Sequence, residues 1–359
     1  MATVWFVLVA FMLTVYVVLD GFDLGVGIVH LFVARGEEER RAVLKTIGPV
    51  WDGNEVWLIG AGGALVLAFP TLYATSFSGF FLPLMIVLWL LMGRGISLEF
   101  RNHVDHPVWR PFWDVAFSVS SALLAIFFGA ALGNVVRGVP LDASGEFFAP
   151  LWTNLRLGPP TGVIDWYTLP VGLLAFAALT MHGSLWIALK TGGALAARAR
   201  RFAASGWAAT VLLSVLVTAL TFPVQPLIPA RLKAHPGGLV LPALAFAGLA
   251  GVRWYRRQGA ERNAFLSSSL FLGGLLASTA FGLYPFVLPA NTDPGRGLTV
   301  FNSAASDYGL RVAIWWWVPG MLLVLGYFVF LYRNFAGKVP AGVPAEGERS
   351  EVSPPGALP

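Results

Sequence analysis

Cysteine is absent from the 359 residues. That excludes a disulfide framework, a cysteine-ligated iron–sulfur cluster and a thiolate haem ligand. Charge is scarce as well: Asp, Glu, Lys and Arg make up 12% of the chain, against about 25% in ordinary soluble domains. A soluble fold of this length could not cover its surface with so few charges. A cytosolic enzyme, a disordered chain and a secreted scaffold are therefore excluded. There is no Walker loop, no dinucleotide fingerprint and no metal-ligand spacing. No cleavable signal peptide is evident, because the first apolar run is too long for an h-region and no A-x-A site precedes a polar start. What the chain has in abundance is apolar length: 57% hydrophobic and 14% aromatic residues, with mean hydropathy +0.71. The reading is an all-α, polytopic integral membrane protein.

A span needs roughly 20 mostly apolar residues. Nine such runs stand at 4–33, 48–69, 74–97, 113–136, 166–189, 206–226, 238–255, 264–289 and 309–333. Residues 1–337 read as one transmembrane domain. The remainder, 338–359, is rich in Pro, Gly and Glu and reads as a disordered cytoplasmic tail. The net charge of +5 would suggest nucleic acid in a soluble protein. Here it reflects basic loops, and the expected surroundings are membrane lipid, with no nucleic-acid partner. Loops after spans one, three, five and seven, with the tail, hold 18 of the 24 basic residues. The alternation predicts an N-terminus outside and a C-terminus in the cytoplasm. Between spans one and two, the charged GEEERRAVLKTIG (36–48), with Val43, Leu44 and Ile47, predicts a short interfacial helix.

Carboxylates inside a membrane are costly and are functional hypotheses by default. Span one carries LDGFDLGVG (19–27), with Asp20 and Asp23 on one helix face. Gly21 and Gly25 would let another backbone approach that face closely. Asp20 lies roughly 24 Å in from the outer side at 1.5 Å per residue, in the cytoplasmic half. Span two opens with GPVWDGNEVW (48–57), which places Asp52 and Glu55 in its first turns with Asn54 between them. Four acids are thus expected together below the cytoplasmic surface. If water reaches them they can pass protons. The same residues can equally be structural, with Asp52 capping span two and Asp20 and Asp23 bonded to backbone or to arginine in a packing corner.

Of five histidines only His182, in LTMHGSLW, is clearly intramembrane. It is open to a haem-ligand role or to a bond with a neighbouring helix. Arg94, Glu99 and Arg101 are expected to form an interfacial ion pair, and so are Arg110 and Asp114. Trp315, Trp316 and Trp317 read as an outer aromatic belt, and Trp51, Trp57, Trp89, Trp109 and Trp113 as an inner one. Tyr284-Pro285-Phe286 and Pro289 are expected to break span eight near its outer end.

At these motifs the sequence resembles subunit II of the cytochrome bd-type quinol oxidases, including the cyanide-insensitive relatives. The matching stretches are LDGFDLGVG (19–27), WDGNEVWLIGAGGALVLAFP (51–70), RGISLEFR (94–101), WRPFWD (109–114), LGNVVRGVP (132–140), MHGSLWIALKT (181–191), YPFVLP (284–289) and LTVFNSAAS (298–306). The resemblance implies nine helices, as two four-helix bundles plus a peripheral helix, in the bacterial plasma membrane. It implies a haem-bearing subunit I as partner, and often a very small single-helix accessory subunit. The complex would oxidise quinol, reduce O₂ to water and build a proton gradient. Its haems b558, b595 and d would be ligated by subunit I. Subunit II would line a cytoplasmic proton uptake path and, in some members, hold a structural quinone.

Carried over by position, Asp20 and Asp52 match the proton route, and Asp23 and Glu55 match neighbouring polar positions. The chain departs from some members in its short outer loop between spans six and seven, which bears on whether it retains a quinone. A proton-coupled secondary transporter is the alternative. It would call for inverted repeats and broken helices in both halves, whereas these acids cluster in the first two spans. A scaffold that merely stabilises a haem-bearing partner shares every feature except a working role for the carboxylates.

Overall fold

In lipid a chain must satisfy its backbone hydrogen bonds internally, so long apolar runs become helices. The structure, a computed structural model, describes residues 1–339. Twelve α-helices form among them: α1 (Ala2–Val33), α2 (Glu37–Lys45), α3 (Trp51–Ala68), α4 (Pro70–Gly79), α5 (Phe81–Phe100), α6 (Trp109–Arg137), α7 (Thr168–Lys190), α8 (Gly193–Val224), α9 (Leu227–Ala234), α10 (Val240–Arg257), α11 (Glu261–Leu283) and α12 (Asp307–Asn334). Eight of them are long and apolar enough to cross a membrane, and α3 with α4 makes a ninth candidate. The two lie 119° apart. Pro70 at the start of α4 has no N–H to continue the ladder, so the chain turns at Phe69. The third span consequently begins at Phe81 rather than at 74.

Helices α1, α3, α5 and α6 pack as one four-helix bundle, and α7, α8, α10 and α11 as a second. Helix α1 holds them together through contacts with α7 and α11. The crossing of α1 with α7 depends on glycine. A Cβ on Gly25 would overlap the Leu179 carbonyl and the Gly183 backbone, so the close approach expected beside Gly25 is made by α7. Helix α12 is peripheral, with most of its surface uncovered.

The helix ends sort into two groups. One end, called basic here, gathers Arg40, Arg101, Lys190 and Arg198. The other is rich in loops. There α11 stops at Leu283 instead of running to 289, and Phe286–Leu288 (β1) pairs antiparallel with Leu298–Thr299 (β2). The carbonyls of Pro285 and Pro289 accept from Val300 and Val139, both at 2.9 Å, so they are not free to line a cavity. Helix α2 forms as expected, but Val43 and Ile47 are fully buried against protein rather than laid on lipid. Trp57 also departs from the belt reading: it is buried and packs on Phe328 of α12. Trp315 and Trp316 stand exposed, whereas Trp317 meets Trp5 edge-on. Lys338 and Val339 are hydrogen-bonded to the last turn of α7 and its cap. The rest of the expected tail, 340–359, lies outside the described residues.

Candidate functional site

From Asp20 to His30 every residue of α1 is buried, because four helices surround that stretch. Asp20 meets α5 there. Its Oδ1 accepts from Arg94 Nη1 at 2.7 Å, and Arg94 Nη2 donates to Glu55 at 3.0 Å. One buried guanidinium thus serves two carboxylates from two helices. Asp20 Oδ2, Arg94 Nε and the Tyr16 hydroxyl, one turn from Asp20, are buried without partners.

Asp23 has a different neighbour. Its Oδ2 accepts from Asn54 Nδ2 at 2.8 Å, and Tyr332 of α12 donates to Asn54 Oδ1 at 2.8 Å. Among the described residues no Lys or Arg pairs with Asp23, and its Oδ1 is unpartnered. Tyr332 also lines a cavity of about 320 Å³ that reaches the basic end, beside Lys190 and Trp186.

The structure therefore brings Asp20, Asp23 and Glu55 together and leaves Asp52 outside. Asp52 sits in the first turn of α3, beyond the helices that cover Glu55, and its side chain is exposed. It forms no hydrogen bond or ion pair among the described residues. Val50 is the N-cap of α3 and no side chain caps it, so Asp52 does not act as a cap. Glu55, one turn further in, is 21% exposed. The expected grouping of four acids is thus a group of three, with Asp20 and Asp23 buried and Glu55 partly exposed, and one exposed outlier.

Arg94 corrects the ion pairing expected with Glu99 and Arg101. It lies two turns inside α5, within reach of α1 and α3, while Glu99 is exposed on α5. Arg101 instead joins a second network on Asp114. That carboxylate accepts from His30 Nε2 (2.8 Å), Arg101 Nε (2.6 Å) and Arg40 Nη1 (3.2 Å). Arg101 continues to Glu37 of α2 at 2.8 and 3.0 Å. Arg110 pairs with Asp105 at 3.1 Å, not with Asp114. This network ties α2 onto α1, α5 and α6. Partial burial raises the Glu37 carboxyl, but the bonds from Arg101 and Arg41 outweigh it and hold it below the usual carboxylate range. Glu39 is held low in the same way, by Arg198 and the Arg35 backbone N–H.

His182 is fully buried, with Nε2 at 2.9 Å from the Val18 carbonyl and Nδ1 at 2.7 Å from the Ser268 hydroxyl. A neutral ring that donates to Val18 and accepts from Ser268 satisfies both. The ring stacks on Phe265 at 4.7 Å. Both nitrogens are committed, so His182 joins α1, α7 and α11 and offers no lone pair to iron. His30 is held by Asp114, and His103, His106 and His235 are exposed on loops. The intramembrane His182 thus does not fit a haem, whereas the Nδ1 of His30 is buried without a partner.

Three participants were not singled out by sequence: Arg94 as the bridge, Asn54 as the partner of Asp23, and Tyr332. Arg94 carried a partial signal, since it falls inside the expected span 74–97 and an arginine within a span needs an acid. At the opposite end Arg137 bonds Asp165, Asn134 (2.6 Å) and the Gly162 carbonyl (3.0 Å), all buried. Asp165 in turn accepts from the Tyr167 and Thr168 N–H groups at the start of α7, both at 2.8 Å, so this corner is structural.

The family model described as cytochrome bd terminal oxidase subunit II matches residues 1–335. The chain is 32% identical to cytochrome bd ubiquinol oxidase subunit 2 of Bacillus subtilis, over 93% of this chain and 96% of that one. It is 31% identical to the probable cytochrome oxidase subunit 2 of Haemophilus influenzae, over 94% and 95%. It is 29% identical to cytochrome bd-I ubiquinol oxidase subunit 2 of Escherichia coli K12, over 94% of each. The solved structure of bd oxidase from Geobacillus thermodenitrificans superposes with a TM-score of 0.74 at 18% identity, over 93% of this chain and 98% of that one. At that identity the likeness concerns the fold.

Proposed function

Because the chain belongs to the cytochrome bd terminal oxidase subunit II family, we propose that it admits protons from the cytoplasm to an oxygen-reducing site held by subunit I. As a family member it is a multi-pass protein of the bacterial inner membrane and works with subunit I in a haem-containing quinol oxidase of the respiratory chain. The finer assignments are the reading proposed here. Subunit I ligates haems b558, b595 and d, which supply the electron transfer and oxygen chemistry. Quinol protons leave on the outer face, and those consumed at oxygen enter past this chain. The basic end faces the cytoplasm, as the distribution of Lys and Arg indicates. This chain also stabilises subunit I. Whether it holds a structural quinone, or binds a small accessory helix, bears on neither point.

The observation that carries the proposal is Asp23: a carboxyl buried in the half of α1 nearer the basic end, bonded to a neutral amide and, among the described residues, paired with no cation. A desolvated carboxyl of that kind takes up and returns a proton rather than holding a permanent charge. Asp52 at the exposed mouth collects protons, and Glu55 relays them inward. Asp20 is held by Arg94, so it acts through the field it sets at Asp23 and through its free Oδ2. A solute transporter is less well supported. Along α7, α8, α10 and α11 the one carboxylate is Glu261, at the start of α11.

Turnover of the purified complex tests the reading. Asp23→Asn and Asp52→Asn are each expected to slow quinol-driven O₂ consumption while the reduced-minus-oxidised haem bands keep their full amplitude. Unchanged turnover in both would leave this chain as a scaffold.

A further inference from the structure

A groove of about 400 Å³ runs between α1, α7 and α8. Its walls are almost wholly apolar, with Ile28 and Phe32 from α1, Leu173 from α7, and Phe202, Gly206 and Leu213 from α8. From Phe202 to Leu213 the α8 wall rises about 16 Å at 1.5 Å per residue. That is the length of an extended acyl chain rather than of a compact solute. Gly206 forms part of the floor, where it lets α8 rest on α7: a Cβ there would stand 3.0 Å from the Met181 nitrogen.

The charge is at one end only. Phe32 is followed by Arg35 within a turn, and Phe202 is preceded by Arg201. Both arginines are exposed at the basic end, and neither side chain forms an ion pair among the described residues. Arg198 beside them is already committed, with Nε on the Val33 carbonyl at 2.6 Å and Nη2 on Glu39. Glu39 is bonded by Arg198 and lies within the field of Arg35 as well, so one carboxylate faces three arginines and the charge left over at the mouth is positive.

We infer that this groove holds one acyl chain of an anionic phospholipid, with the headgroup phosphate at Arg35 and Arg201. The apolar walls exclude a polar occupant, and two exposed guanidinium groups at the same end favour a headgroup of net negative charge over a zwitterionic one. The groove opens on the surface of this chain, on the second bundle's side of α1. It does not rest on the proton path or on the partner subunit.

The test uses the complete, detergent-washed complex, supplied separately with dioleoyl phosphatidylglycerol and dioleoyl phosphatidylcholine and examined by native mass spectrometry. The wild type is expected to retain one phosphatidylglycerol more tightly than phosphatidylcholine. Arg35→Gln with Arg201→Gln is expected to weaken phosphatidylglycerol retention roughly thirtyfold, at about fivefold per charge, and to leave phosphatidylcholine unaffected. Ala209→Trp, which fills the groove, is expected to lower retention of both. Equal retention of phosphatidylglycerol by wild type and the double arginine variant would overturn the assignment. So would retention undiminished by Ala209→Trp, or recovery of a quinone as the groove's occupant.

Discussion

Replacing Arg94 by methionine removes the guanidinium that Asp20 and Glu55 share. Methionine fills similar volume, so the loss is electrostatic. Removing one partner of a buried pair typically costs about 3–5 kcal/mol, because the other charge stays behind unpaired. The cost has a ceiling. A carboxylate without its cation can bind a proton, and keeping an ordinary carboxylic acid neutral at pH 7 costs about 4 kcal/mol. Asp20 is fully buried and bears this cost; Glu55, at 21% exposure, reaches water and bears little. For a chain of this size the thermal midpoint should fall by about 5 °C. The second variant isolates the pair. With Asp20→Asn added, no fully buried unpaired charge remains at this pair, and the double variant should regain more than half of the loss, a coupling of about 2 kcal/mol. Thermal unfolding of the purified complex, followed by tryptophan fluorescence, reads both. An Arg94→Met protein as stable as wild type would refute the reasoning, as would a double variant no more stable than the single one.

Three further outcomes follow from the same geometry. Ser268→Ala leaves the buried Nδ1 of His182 without its partner and should cost about 1–3 kcal/mol, read as a lower thermal midpoint with unchanged haem bands. Tyr332→Phe removes the hydroxyl that α12 donates to Asn54 and should cost about 1 kcal/mol, with faster hydrogen exchange in the last turns of α12. Helix α2 should loosen in acid. Glu37 and Glu39 are held below their usual range, so their contribution is complete above the ordinary glutamate pKa near 4.3 and is lost as pH falls through the lowered values. Protection of residues 37–45 against hydrogen exchange, corrected for the pH dependence of the intrinsic rate, should therefore fall below about pH 4 and stay constant from pH 5 to 8.

Much of the architecture is legible in the sequence because apolar length and loop charge are set by the bilayer itself. Eight of the nine expected spans, the helix at 37–45 and the glycine contact beside Gly25 follow from period, length and residue size, whereas a peripheral helix was implied only by the family resemblance. Span ends fared worse where tertiary contacts decide them. Phe69 and Pro70 turn the chain early, and Tyr284-Pro285 diverts it into a hairpin whose pairing strand lies ten residues on. The acids were legible as residues but not as pairs. Asp20 and Asp23 are one turn apart, yet one bonds Arg94 of α5 and the other Asn54 of α3. Spacing along one helix cannot say which neighbour covers each. Arg94 was counted with the loop charges because it stands near the end of its apolar run; its depth shows only when α5 extends to Phe100. Tyr332 lies 278 positions from Asn54, a separation that no local pattern bridges.

The most direct measurement of proton admission by this chain uses oriented proteoliposomes carrying the complex, with a pH-sensitive dye on the side of the basic end. On addition of quinol and oxygen that compartment should turn alkaline. In Asp23→Asn the initial rate should fall by an order of magnitude or more, with haem content and quinol affinity unchanged. A rate equal to wild type, or alkalinisation on the loop-rich side instead, would contradict a proton route through Asp23.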